Sequence, residues 1–229
     1  MLEMLSCREG VYGGWKTAIE YLPKIGVRGI ELDDYPPDEL MRAAAACRAR
    51  GIDPMTIAGG VDTDSPDSVA RVKDRCKAAS DAGIRCYFLS GNGKDRPAAM
   101  RTLAALGDHA ASFGVTLSLE THPPFCANAA EMLRTIAEID HPNVRINFDT
   151  ANVLRARQAA FAALERTDAS TLTHYHLAGH DAYSVCLNRP DARTVSFSHI
   201  TVAPQRSSIS RSRKPHRSAA FARAWPVSW

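Results

Sequence analysis

Three short β-rich runs, each ending on a side chain able to bind a metal, constrain this chain more than any other feature. They read Val115-Thr-Leu-Ser-Leu-Glu120-Thr-His122, Val144-Arg-Ile-Asn-Phe-Asp149-Thr-Ala-Asn152 and Leu172-Thr-His174-Tyr-His176-Leu. Helix-length segments, Ala129–Ile139 and Val153–Arg166, lie between them. Strand alternating with helix implies parallel strands, and parallel strands bring their C-terminal ends to one face. Glu120, Asp149 and His176 would therefore converge at one mouth, although 29 and 27 residues separate them in sequence. Two carboxylates and an imidazole suit a divalent ion of the Mn²⁺, Co²⁺, Mg²⁺ or Zn²⁺ kind.

The same rhythm runs back to the N-terminus. Leu2–Cys7 is a short first strand. Gly14–Ile25 carries Trp15, Ile19, Leu22 and Ile25 at helical spacing and closes on Gly26, a favoured terminator. Val27–Leu32 is a second strand, Pro37–Arg50 a second helix, and Ile52–Ala58 a third strand ending at Gly59-Gly60. Ser65-Pro66-Asp67 opens a helix that runs to Ala82, where Gly83 stops it. Ile84–Leu89 is strand four, followed by a Ser90-Gly-Asn-Gly93 loop where backbone can approach a ligand closely. Arg96–Phe113 is the next helix. Seven strands spaced about 25–30 residues apart match the rhythm of a (β/α)₈ barrel. A doubly wound sheet would announce a Gly-rich nucleotide loop after strand one, and Gly13-Gly14 follows no convincing strand.

At 229 residues the chain suffices for one barrel core. No run of about 20 apolar residues is present, so no spanning helix is expected, and the first ten residues lack the pattern of a secretory signal. A cytoplasmic location is expected. The six cysteines show no CxxC spacing, so they read as buried free thiols. From Tyr183 onward eight Lys or Arg stand against one acid, so this part carries +7 and the first 182 residues carry −4. The basic balance thus belongs to the C-terminal part, and the body gives no reason to expect nucleic acid. Residues 1–182 read as the barrel domain, lacking strand eight. Residues 183–229 show no useful period and read as a basic, Ser/Arg-rich disordered tail, with its Arg/Ser-rich stretch at 205–217. The fold expected is an incomplete (β/α)₈ TIM barrel of about seven strands.

The endings Leu-Glu120-Thr-His, Phe-Asp149-Thr-Ala-Asn152 and His174-Tyr-His176-Leu, with Gly29-Ile-Glu31-Leu on strand two, resemble the sugar phosphate isomerase/epimerase family with its xylose isomerase-like barrel. The likeness covers roughly residues 10–180. It implies metal ligands at Glu120, Asp149 and His176, a sugar substrate, and proton transfer beside a carbonyl through an enediolate. Glu120 would also move the proton. Relatives often dimerise, so a homodimer is part of what the resemblance implies, while the lack of a long apolar run gives no reason to expect a membrane partner. The family's fourth ligand is a glutamate on strand eight, but the last glutamate here is Glu165 and nothing matches that position. A 3-epimerase needs bases on two faces, so a one-base isomerisation or dehydration suits this chain better.

Plainer roles stand beside these. Asp149 is also a favoured N-cap for the helix that follows. His174 lies on the same strand face as His176 and competes with it, or contacts substrate. His122 and Asn152 are further candidates to hydrogen-bond substrate hydroxyls. A barrel remnant without activity is the competing reading, in which strand one would lack a neighbour and leave open sheet edges. A metal nuclease of the endonuclease IV type shares the barrel but needs more ligands on strands two to four, and the chain has no histidine before His109.

Overall fold

The structure, a computed structural model, describes residues 6–149 in full and 172–178, 183–188 and 194–200 through their backbone. Seven parallel strands come first. They are β1 (Ser6–Arg8), β2 (Gly29–Asp33), β3 (Asp53–Asp62), β4 (Cys86–Asn92), β5 (Thr116–Glu120), β6 (Val144–Asp149) and β7 (Leu172–Ala178). Between them run α1 (Trp15–Tyr21), α2 (Pro37–Ala49), α3 (Pro66–Asp81), α4 (Arg96–Ser112) and α5 (Ala129–Ile139). The expected segment Val153–Arg166 lies outside the described residues.

This is an incomplete (β/α)₈ barrel, and what stands in the eighth position is a hairpin. Strand β8 (Tyr183–Asn188) pairs antiparallel to β7, and β9 (Thr194–Ile200) pairs antiparallel to β8. Two reversals return β9 to the direction of the first seven, and it meets β1 in parallel at Cys7 and Phe197. The ring is thereby closed in the order β1 to β9. Strand one therefore has the second neighbour that a barrel remnant would lack. Residues beyond Ile200, including the Arg/Ser-rich stretch, lie outside the described residues.

Local sequence chemistry explains the helix starts. Ser65, Asp95 and Asn128 cap α3, α4 and α5, their side-chain oxygens accepting from the N–H groups of Ser68, Ala98 and Glu131 at 3.2, 3.0 and 3.0 Å. α1 is shorter than its apolar spacing suggests. Pro23 has no N–H and its ring crowds the preceding turn, so the α-helix stops at Tyr21 and Leu22–Ile25 tightens into a 3₁₀ turn. Gly26 then reverses the chain at φ 76°, a conformation that costs a side-chain-bearing residue steric strain.

Two strands run further than expected. β3 and β4 stay paired through Gly60–Ser90, Val61–Gly91 and Asp62–Asn92, so the first part of the expected Ser90–Gly93 loop is strand. Glycine permits this rather than breaking it. A Cβ at Gly59 would collide with the Asp34 carboxylate and lie 2.9 Å from the Tyr87 hydroxyl. Its absence lets Tyr87 donate to Asp34 at 2.7 Å, while Arg71 of α3 bridges Asp34 and the Gly60 carbonyl.

The main apolar core lies between sheet and helices. Ile30, Leu32, Ile57, Leu89, Leu117, Ile146 and Phe148 from the strands are buried there with Leu40, Val72, Leu103 and Leu106 from the helices. Among the described residues no helix is long and apolar enough to cross a membrane. Cys7, Cys47, Cys76, Cys86 and Cys126 are free and buried, as the sequence suggests.

Candidate functional site

Side chains alternate along a strand, so every strand that packs Leu or Ile outward turns its other residues into the lumen. In β6 the outward set is Val144, Ile146 and Phe148, which leaves Arg145, Asn147 and Asp149 for the inside. The same reading puts Ser118 and Glu120, Phe88 and Ser90, Thr56 and Ala58, Glu31 and Asp33, and Ser6 and Arg8 inside. Contacts agree with it. Ser6 donates to Glu31 at 3.2 Å, and Ser90 donates to Glu120 Oε2 at 2.9 Å. Ala58, Cys86 and Phe88 are buried but stand apart from the helix-side cluster. A TIM barrel lumen is ordinarily filled by branched apolar side chains. This one is mostly polar, with Ala58, Cys86 and Phe88 as its apolar members among the described residues.

Two of the predicted site residues, Glu120 and Asp149, fall at the C-terminal ends of adjacent strands. Glu120 closes β5, half-buried, with Ser90 on one of its oxygens. Asp149 closes β6 and is 8% exposed, and its N–H donates to the Thr121 hydroxyl at 3.0 Å. Thr121 is fully buried and ties the end of β5 to the end of β6, which fixes the spacing of the two acids. The ladder continues onto β7: Glu120 pairs with Asn147 and Asn147 with His174, while Asp149 pairs with His176 one step further toward the mouth. Strands so paired lie about 4.8 Å apart. Among the described side chains no three metal-capable groups gather, and the third of the predicted trio, His176, enters through its backbone register. Two carboxylates on neighbouring strand ends, one held by a hydroxyl, with a histidine in register with the second, are a donor set that fits a divalent ion.

His122 lies exposed on the loop after β5, with Nδ1 2.8 Å from the Pro123 carbonyl. Asn152 lies outside the described residues. Ser90, Thr121 and Arg8 were not singled out as site residues in the sequence. Serine and threonine carry no chemical signature of their own, and only the strand pairing reveals what they hold. Arg8, the last residue of β1, makes an ion pair with Asp33 at 2.9 Å and sets its guanidinium 5.4 Å from the centre of the Phe88 ring.

Electrostatics narrow the chemistry. Burial pushes the Cys86 thiol up to about 12, the Glu31 carboxylate adds to the rise, and Arg145 opposes it. A lumen thiol so protonated is no nucleophile. Burial also pushes Glu9 up to about 7, but Glu9 faces the helices: it accepts from the Asp33 N–H at 2.6 Å and adds to the rise that burial gives the Cys47 thiol on α2. The acids left for chemistry at the mouth are those at the strand ends.

Comparison with known proteins places this architecture. Residues 19–198 match a family model described as xylose isomerase-like TIM barrel. No curated protein matches the chain by sequence. Among solved structures it is similar to the xylose isomerase domain protein from Planctomyces limnophilus (20% identity, TM-score 0.65, covering 86% of this chain and 80% of that one). It is similar also to 3-keto-D-glucoside 4-epimerase from E. coli (16%, 0.66, 79% and 80%). A D-psicose 3-epimerase from Clostridium cellulolyticum H10, solved with D-tagatose, matches likewise (18%, 0.64, 75% and 72%). At these identities the likeness is one of fold, and the family assignment rests on the match over residues 19–198. The chain belongs to the xylose isomerase-like TIM barrel family.

Proposed function

We propose that this barrel is a metal-dependent sugar isomerase or epimerase that moves a proton on a carbon beside a carbonyl. The observation that carries the reading is the ladder of strand ends, in which Glu120 and Asp149 close neighbouring strands and His176 stands in register with Asp149. Glu120, Asp149 and His176 would hold the ion. A divalent cation held there would supply Lewis-acid polarisation of the substrate's carbonyl.

The rest falls to the chain's own residues. Glu120 takes the proton and returns it, and Ser90 holds one of its carboxylate oxygens. Thr121 keeps Asp149 at its distance from Glu120. His174, His122 and Asn152 are assigned to the substrate's hydroxyls. One carboxylate serving both proton steps favours a 1,2-isomerisation or a dehydration over a two-base epimerisation.

The test is a calorimetric titration of the full chain with Mn²⁺ and Co²⁺, beside Glu120→Gln and His176→Ala. Micromolar binding that each substitution weakens at least tenfold, about 1.4 kcal/mol, is the expected result. Absence of saturable binding, or binding indifferent to both substitutions, would overturn the reading in favour of a barrel without catalysis.

A further inference from the structure

Strand β1 neighbours β2 and β9, and β4 neighbours β3 and β5. A contact between β1 and β4 can therefore be made only across the lumen. Arg8 makes one, its guanidinium standing over the face of Phe88, two residues before the serine that holds Glu120. Arg8 and its ion-pair partner Asp33 are the last residues of their strands, so they stand at the mouth, on the wall opposite Glu120 and Asp149. Their side chains are 31% and 44% exposed, whereas Phe88 below them is 1% exposed.

The pair has hydrogen-bonding capacity to spare. A guanidinium carries five N–H donors, and Arg8 uses Nη2 on Asp33 Oδ1. Its other donors and Asp33 Oδ2 have no partner among the described residues. A charge-neutral edge offering donors and an acceptor side by side matches vicinal hydroxyls, which both give and accept. It suits a phosphate poorly, because Asp33 already answers the arginine's charge and would repel the anion.

We propose that Arg8 and Asp33 form the hydroxyl-binding wall of the site, and that the ligand it selects is an uncharged polyhydroxy ketone rather than a sugar phosphate. This rests on the isomerase or epimerase reading and goes beyond it in naming the substrate class and the residues that choose it. Phe88 supplies an apolar floor on which the guanidinium is stacked, so the pair is pre-set before the ligand arrives.

The experiment loads the full chain with Mg²⁺ and measures binding of D-fructose, D-psicose, D-tagatose and L-ribulose by calorimetry, beside the phosphate esters of the same sugars. Mn²⁺ affinity is measured in parallel. At least one free ketose should bind saturably and more tightly than its ester. Arg8→Ala should weaken it tenfold or more while Mn²⁺ affinity stays within twofold, and Arg8→Lys should recover part of the loss. Asp33→Asn, which keeps the shape, should weaken the ketose threefold or more, and decides the matter should Arg8→Ala fail to fold. Unchanged ketose affinity in the folded variants would overturn the proposal. So would tighter binding of the esters, or binding of Mn²⁺ with no ketose at all. Failure of the metal reading looks different: there Glu120→Gln leaves Mn²⁺ affinity untouched.

Discussion

The two faces of one sheet solve opposite problems. Outward, β2 to β6 present Ile30, Leu32, Ile57, Leu89, Leu117, Ile146 and Phe148, all buried against helices. Inward, the same strands present Glu31, Thr56, Ser118, Glu120, Asn147 and Asp149. The helix-side residues remove apolar area from water, at roughly 25 cal/mol per Å², and that face holds the barrel together. The lumen side buries polar atoms, each of which costs free energy unless it finds a partner. Stability thus resides on the outside of the ring and chemistry on the inside, one residue apart along β2 to β6.

The sharpest way to break that contrast is to empty one outward position. Leu89 is fully buried on β4 and packs into the helix-side cluster. Leu89→Ala removes its transfer energy and leaves a cavity, so unfolding in urea should show a loss of about 2–5 kcal/mol. A loss under about 1 kcal/mol would mean that this face is not where the fold is held.

Glu9 is the exception that sharpens the contrast, because it is a carboxyl buried on the helix side. Burial is the largest cause of its rise from 4.5 to about 7, while the Asp33 N–H pulls the other way. The proton is held more tightly folded than unfolded. Its stabilisation is therefore complete below pH 4.5 and is lost as pH climbs to about 7, above which stability should level off. A shift of this size corresponds to about 3 kcal/mol over the window. Chemical denaturation at intervals from pH 4 to pH 8 should show this fall, and Glu9→Gln should flatten it. An unchanged profile in the variant would assign the pH dependence to other groups.

Much of this division is legible in the sequence. Val144-Arg-Ile-Asn-Phe-Asp149 alternates as a two-faced strand must, and it ends on the acid that the site uses. Helix termini were legible too wherever a cap residue stood before a proline or an acid, as at Ser65. Partners distant in sequence were not. Ser90 meets Glu120 across 30 residues, and Arg8 meets Phe88 across 80, and no local pattern encodes either pairing. The hairpin β8–β9 was hidden for another reason. Thr194-Val-Ser-Phe-Ser does alternate, but the run is short and sits among basic residues that read as unstructured.

The smallest effect tests the inward face directly. Thr56 is fully buried on β3, and its hydroxyl has no partner among the described residues. A buried hydroxyl without a hydrogen bond costs stability, and replacing it by a methyl of similar shape removes that cost. Thr56→Val should therefore leave stability unchanged or raise it by up to about 1 kcal/mol, measured by urea unfolding beside Leu89→Ala. Its opposite sign is the point. If a lumen position gains from becoming apolar while an outward position loses by becoming small, the polar character of the lumen is maintained at the expense of stability. A loss of more than about 1 kcal/mol on Thr56→Val would show instead that the hydroxyl is bonded within the closed ring, and that the lumen's polar residues help to hold it.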